Sequence, residues 1–452
     1  MKSSLPYTLH HSFAPARDEA EVDSLLNNDI YKFLMLDFIL AHPEYRDMLV
    51  RWKMKVRNRD VKLGNVIPMA ALAEQLDATR ALGGVSPADI SYLRGMLSAG
   101  GKPLFREETL KYLTDFKLSE YALSDDGNGG YDLSFEGNWA NSMMWEILAL
   151  KIVNSLYLYH YAKKAKLTPT EWNGVMTRTM GRLFADAEVI RQDPRITFSE
   201  FGTRRAASTD IHRQVLEILE NELPGQCIGT SNVMLAREFG NNNPRGTNAH
   251  ELRMIPTAFE DQPENIVSKM YDIDRQWMAH FPELAILLPD TFGTTFYYQN
   301  APKDIIAGHI GTRFDSKDPL VAIPEYVDWL LANGADPATK MGIPSDGLDS
   351  RTIREISETC SGMVGKLTYG WGTGLTNNTK GTLPKERETF GPFGSFSVVI
   401  KPDSVWRPDR GEWVACVKLS DNPNKAMGSP ERIELFKRTF GVAGMERQEV
   451  VV

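Results

Sequence analysis

Two periods of apolar residues alternate along this chain, and together they predict its architecture. At 49–56 the run Leu49, Val50, Arg51, Trp52, Lys53, Met54, Lys55, Val56 alternates apolar with basic positions, as a half-buried strand does. Just before it, Ile30, Phe33, Leu34 and Phe38 share one helical face, with Asn28 or Asp29 in position to cap. Tyr31 and Lys32 fall in the first turn of that helix, and residues 1–24 before it read as a mobile lead-in. Residues 66–125 predict polar helices with a loop at 98–103. A strand follows at 131–137, then a long apolar helix from 139 to about 161, with Trp145, Leu148, Ile152 and Leu156 at helical spacing. That helix is predicted to be buried, packing one domain on the next.

From Arg195 onward short apolar runs alternate with amphipathic helices. Strands are predicted at 196–200, 226–229, 247–250 and 284–288, before Gly311, at 340–344 and at 366–369. Helices are predicted at 210–222, 232–239, 264–280, 321–332 and 349–360. Such alternation implies a parallel sheet with helical cover. Polar or Gly-rich clusters close nearly every strand, which favours a β/α barrel, whose site groups come from many strand ends, over a doubly wound open sheet with one crevice. After Leu375 two further strand-like runs appear, at 396–400 and 413–419. The expected fold is α/β: an irregular β/α barrel domain over 151–385, plus an α+β domain built from 1–150 and the C-terminal segment 386–452.

Composition narrows the function. A chain of 452 residues exceeds one simple core. Its formal net charge of -8 argues against general binding of nucleic acid or anionic membranes. The three cysteines are scattered, with neither metal spacing nor a disulfide framework, which suits a reducing compartment. No apolar run is long enough to span a membrane, and no signal peptide is evident, so a cytoplasmic protein is expected. There is no P-loop, no dinucleotide fingerprint and no zinc spacing.

Each strand-end cluster alone is more often a cap, a turn or a core contact than a site. Taken together, Arg204, Arg205, His250, Arg313, Asp315, Asp318 and Asp346 with several Gly donors suit a phosphorylated sugar. Arginines and backbone N–H groups bind phosphate, while carboxylates hold Mg²⁺ or ribose hydroxyls.

Several segments in order carry a resemblance. They are Leu26-Asn27-Asn28-Asp29-Ile30-Tyr31-Lys32, Phe201-Gly202-Thr203-Arg204-Arg205, Gly229-Thr230-Ser231-Asn232-Val233, Gly246-Thr247-Asn248-Ala249-His250-Glu251, Arg313-Phe314-Asp315-Ser316 and Val417-Lys418-Leu419-Ser420-Asp421. In order and spacing the chain resembles the nicotinate phosphoribosyltransferase family over nearly its whole length. The resemblance implies transfer of a phosphoribosyl group from 5-phosphoribosyl 1-diphosphate to nicotinate in NAD salvage. It also implies Mg²⁺, coupled ATP hydrolysis and a homodimer. Phe201 and Tyr31 would sandwich the pyridine, with Tyr31 coming from the neighbouring subunit, and Arg204 would face its carboxylate. Thr230 and Ser231 would belong to the same pocket. Ser231 stands where nicotinamide-using relatives carry Asp, so the resemblance implies acid over amide. His250 would be the phosphorylated histidine, Arg313 and Asp315 would contact ribose and phosphate, and Ser345, Asp346, Gly372, Thr373 and Gly374 would cradle the 5-phosphate. Two positions depart from the family: Lys317 replaces a Gly after Asp-Ser, and Gly374 replaces a second Arg. The rival expectations are a nicotinamide or quinolinate phosphoribosyltransferase, and an inactive phosphoribosyl-binding regulator.

Overall fold

The computed structural model describes residues 20–240 and 244–448. The lead-in expected over 1–24 therefore lies outside the described residues up to 19. Its last part is not loose: Val22 is buried, and Glu21 Oε1 accepts from Thr209 N at 2.9 Å.

Twelve strands among the described residues form three sheets. Three strands belong to the N-terminal region: β1 (Leu49–Val56), β2 (Glu120–Asp125) and β3 (Tyr131–Asn138). Seven follow: β4 (Phe198–Glu200), β5 (Cys227–Thr230), β6 (Ile286–Leu287), β7 (Gly311–Phe314), β8 (Met341–Pro344), β9 (Lys366–Leu367) and β10 (Tyr369–Trp371). The last two are β11 (Val398–Arg407) and β12 (Glu412–Ala415). The first sheet has the order β12-β11-β1-β3-β2 and is antiparallel throughout, so the chain's C-terminal strands complete the N-terminal sheet.

The other two sheets, β10-β4-β5 and β6-β7-β8-β9, are parallel. They meet where β9 runs into β10. Between β5 and β6 the expected strand at 247–250 is absent. The chain there bonds irregularly instead: Arg245 N donates to Thr230 O at 2.9 Å, and Asn248 Nδ2 donates to Ile286 O at 3.2 Å. A side chain thus takes the place of a ladder bond, which frees His250 to begin the helix Glu251–Thr257.

Other expectations shift for local reasons. The stretch expected to be all helices and loop ends in β2, because Asp126 Oδ1 accepts from Asn128 N and Gly130 N and turns the chain back onto β3. The apolar helix from 139 breaks into Trp139–Ser142 and Trp145–Lys164. Its burial is as expected, almost all round, and it packs on the Thr203–Arg205 turn and on β11. The stretch 162–194, given no element above, holds the helix Pro169–Arg191, started by a Thr168/Glu171 capping box. The run expected as strand to 419 leaves its sheet after Ala415. Leu419 N then donates to Thr291 O at 2.9 Å, which carries Lys418 inward. No helix among the described residues is long and apolar enough to cross a membrane.

Candidate active site

The parallel strand ends, the first helix and the loop at 98–103 enclose a cavity of about 1640 Å³. Its walls carry Tyr31, Phe201, Arg204, Ser231, His250, Arg313, Asp315, Ser345, Asp346, Gly372, Thr373 and Gly374. Of the expected site residues only Thr230 is off the wall. Its hydroxyl donates to Glu200 Oε2 at 2.5 Å and accepts from Asn232 N at 3.1 Å, which fixes the end of β5.

Glu200 organises the turn after β4. It is fully buried, yet His212, Thr230 and the Gly202 N–H all bond to it, and these contacts outweigh desolvation and hold its carboxyl below the usual range. Phe201 and Arg204 leave that turn into the cavity. Phe201 lies against Gly370, where an added Cβ would come within 2.5 Å of the ring, so the strand gives the ring its space. The Arg204 guanidinium makes no hydrogen bond or ion pair among the described residues. Burial disfavours its charge, but Glu146, Tyr31, Asp315 and Asp29 nearby raise its pKa overall. Its neighbour Arg205 is pushed down to about 9 by burial and by Arg204 itself, and donates to Thr373 Oγ1 at 3.3 Å.

Tyr31 reaches this cavity from its own chain. The resemblance implied delivery from a neighbouring subunit; here Ile30 N donates to Ser231 O at 2.8 Å and draws the first helix onto the end of β5. Gly246 makes room for that helix, since a Cβ there would stand 2.7 Å from Ile30 Cγ2. The Tyr31 hydroxyl donates to Glu146 Oε2 at 3.2 Å.

Ser231 also has a neighbour the sequence did not reveal. Its hydroxyl donates to Asp29 Oδ1 at 2.7 Å, and Asp29 lines the same cavity. This wall therefore does carry a carboxylate: Asp29, just before the first helix, brings one from 202 residues away in sequence.

At the other wall His250 is buried and bonded on both ring nitrogens. Nδ1 lies 3.0 Å from Thr291 Oγ1, while Nε2 lies 3.0 Å from Asp315 Oδ2 and 2.7 Å from Lys418 Nζ. Burial and then Lys418 push the imidazole down to about 4, against the pull of Asp290 and Asp315, so it is neutral at pH 7. Thr291 bonds onward to Leu288 O, so Nδ1–H donates to Thr291 and Nε2 carries the lone pair. Asp315 resists burial: the Arg313 guanidinium above all, with the Lys418 ammonium, holds it well below the usual range. Ser345 Oγ donates to Asp315 Oδ1 at 3.0 Å, and Arg313 Nη1 donates to Asn248 O at 3.0 Å.

His250, Asp290 and Asp315 bring ligand atoms within 4.8 Å of one another. Asp290 Oδ1 is buried with no hydrogen-bond partner, an acceptor left over. Imidazole and the Lys418 ammonium are poor company for a Mg²⁺ cage of protein groups alone. The set fits an ion held by one or two carboxylates and completed by substrate oxygens.

The two departures from the family pattern have structural answers. Lys317 turns away from the cavity to Thr295 Oγ1 at 3.2 Å and Glu325 Oε2 at 2.5 Å. At Gly374 an added Cβ would meet Trp371 Nε1 at 2.8 Å, so the indole occupies the space an arginine would need. Asp346 is exposed and paired with Lys425. Sequence reasoning had assigned no role in this cavity to Asp29, Glu146, Asp290, Lys401 or Lys418. Asp29 and Lys418 stood inside quoted motifs, but nothing local pointed either of them inward.

Comparison with known proteins now decides the family. Residues 196–443 match the nicotinate phosphoribosyltransferase (NAPRTase) family, and residues 26–154 match the NAPRTase N-terminal domain. The chain belongs to the nicotinate phosphoribosyltransferase family. It is similar to the crystal structure of nicotinate phosphoribosyltransferase from Porphyromonas gingivalis at 26% identity and a TM-score of 0.78, over 93% of this chain and 100% of that one. It is similar to that from Vibrio cholerae at 27% identity and 0.78, over 95% and 96%. A putative nicotinate phosphoribosyltransferase from Saccharomyces cerevisiae, at 23% identity and 0.76 over 94% and 99%, shares the fold.

Proposed function

We propose that this protein joins nicotinate to 5-phosphoribosyl 1-diphosphate, giving nicotinate mononucleotide and diphosphate, with ATP hydrolysis coupled through a phosphohistidine at His250. The observation that carries this reading is the unpartnered Arg204 guanidinium lining one cavity with Phe201, Tyr31, His250 and Asp315. A planar ring with a carboxylate suits the first group, and a phosphorylated sugar suits the second. The two parallel sheets are read here as one irregular barrel, interrupted between β5 and β6. The strands shared by the chain's two ends support grouping 1–150 with 386–452 as its companion domain.

The chemistry follows from charge. The nicotinate ring nitrogen attacks the anomeric carbon as the bond to diphosphate breaks, so positive charge develops on the sugar. Asp315, kept ionised by Arg313, stabilises that charge, and Arg313 offsets charge on the phosphate side. Mg²⁺ held at Asp290 and Asp315 would neutralise the departing diphosphate. His250 can accept a phosphoryl group at Nε2, because Thr291 keeps the proton on Nδ1. Arg204 binds the pyridine carboxylate, and Phe201 and Tyr31 orient the ring.

One observation favours a second reading. The Asp29 carboxylate on Ser231 adds negative charge where nicotinate would bring its own, and so favours nicotinamide. Purified protein with 5-phosphoribosyl 1-diphosphate, Mg²⁺, ATP and either pyridine separates the two by chromatography of the mononucleotide formed. No product from nicotinate would sink the main reading. His250→Ala should abolish stimulation by ATP and leave a slow basal transfer; persistent stimulation would remove the phosphohistidine role. Tyr31 lines its own chain's cavity, and a homodimer that shares the site remains the proposal for the assembled protein.

A further inference from the structure

Asp29 and Ser231 are locked face to face. A backbone bridge joins Asp29 to Asn232, Ile30 N donates to Ser231 O at 2.8 Å, and Ser231 Oγ donates to Asp29 Oδ1 at 2.7 Å. Both side chains are almost fully buried, and both lie on the cavity wall. A serine hydroxyl has a single proton. With Asp29 ionised that proton is committed to the carboxylate, and Ser231 turns only lone pairs to the cavity. Lone pairs accept from an amide N–H and repel a carboxylate. A proton on Asp29, taken from solvent, reverses the arrangement. The carboxyl O–H then donates to Ser231 Oγ, the serine proton is free for a ligand acceptor, and the negative charge is gone.

Resting on the pyridine-binding reading of this cavity, we propose that Asp29 is a specificity-determining residue: its proton, acting through Ser231, decides whether the site takes the pyridine carboxylate or the pyridine amide. The charged groups that face it are Glu200 on β4, Arg204 on the turn beyond, Lys151 on the helix Trp145–Lys164 and Tyr31 on its own helix. Burial raises the Asp29 pKa most. The Thr203 hydroxyl and then Ser231 hold it down, Glu200 adds to the rise, and Arg204 again opposes it. The acid-binding form therefore persists to higher pH than for an ordinary carboxylate and is lost as pH rises further.

The test measures kcat/KM for nicotinate and for nicotinamide in the whole protein from about pH 6 to about 9, with proton uptake on nicotinate binding by calorimetry in buffers of different ionisation enthalpy. The wild-type preference for nicotinate should fall by up to about tenfold per pH unit once Asp29 loses its proton. Asp29→Asn should flatten that profile and abolish the proton uptake that accompanies nicotinate binding in the wild type wherever its preference falls. Ser231→Ala keeps the Asp29 charge, so its nicotinate profile should stay pH-dependent while its use of nicotinamide weakens about tenfold. Wild-type pH profile and proton uptake in Asp29→Asn would overturn the proposal. If Asp29→Asn does not fold, unchanged nicotinamide use in Ser231→Ala would do so. Proton uptake needs no turnover, so a protein that binds nicotinate with uptake and makes no product would remove the proposed activity and leave this inference standing.

Discussion

His250 and Glu251 are consecutive residues, yet they open onto two unlike charge clusters. Behind Glu251 the cluster is dry: Lys32 bridges Glu146 at 2.7 Å and Glu251 at 2.6 Å, and Lys401 reaches Glu146 at 2.7 Å. These four side chains come from the first helix, the long core helix, the start of the helix after His250, and β11. In front of His250 the charges of Asp290, Asp315, Lys418 and Arg313 sit on or just behind a cavity wall, with atoms unsatisfied at Asp290 Oδ1 and Arg313 Nε. The difference teaches how to separate scaffold from site. Spare atoms alone do not mark a site, since Glu251 Oε1 is also without a hydrogen-bond partner; what marks the front group is that Arg313 and Asp315 line the cavity, whereas Lys32, Glu146 and Glu251 do not.

The largest effect should come from breaking the dry side. Glu146→Gln leaves two buried ammonium groups short of a counter-charge and should cost about 3–5 kcal/mol in urea unfolding. A loss under about 1 kcal/mol would show that the cluster does not hold the elements together. On the cavity side the expectation inverts. Arg204→Ala removes a charge with no hydrogen bond or ion pair, so stability should fall far less than in Glu146→Gln, while kcat/KM for nicotinate falls roughly 10–100-fold, the worth of a charge-assisted hydrogen bond. Equal losses of stability and activity would erase the contrast.

The dry cluster also carries a pH signature. Burial, against the pull of Lys32, raises Glu251 to about 7. A raised carboxyl binds its proton more tightly in the folded state, so its contribution is fully present below the unfolded value and is lost as pH rises to about 7. That contribution should fall by at most about 1.4 kcal/mol per pH unit across this window, and Glu251→Gln should lack the slope in unfolding measured at several pH values. A variant with the wild-type slope would place the titration elsewhere. The smallest effect belongs to the family departure that faces away from both clusters. Lys317→Gly should change kcat/KM little and cost about 1 kcal/mol or less, the worth of its pair with Glu325.

Much of the scaffold was legible because its signals are local. The alternation at 49–56 is β1, the amphipathic run at 210–222 is the helix Thr209–Glu222, and the run at 349–360 is the helix Ser350–Cys360, which Asp349 caps. Where local signals competed, the outcome depended on distant partners. Residues 247–250 fall where the strand–helix alternation calls for a strand, but Asn248 bonds through its side chain to Ile286 O and Arg313 bonds to Asn248 O. Residues 120–125 were too polar to stand out among helices, so β2 and its turn back onto β3 were missed.

For this protein, then, the sequence by itself determined the parallel strand–helix alternation, the apolar burial of the core helix, and the chemical types of Phe201, Arg204, His250, Arg313 and Asp315. Each depends on residue identity or on spacing within one element. Only the tertiary structure decided that Tyr31 lines its own chain's cavity, that Asp29 sits on Ser231, that Lys418 meets His250, and that Lys317 turns away. The reason is physical: hydrogen bonds and ion pairs act over about 3 Å, and which side chains come that close depends on how elements far apart in sequence dock.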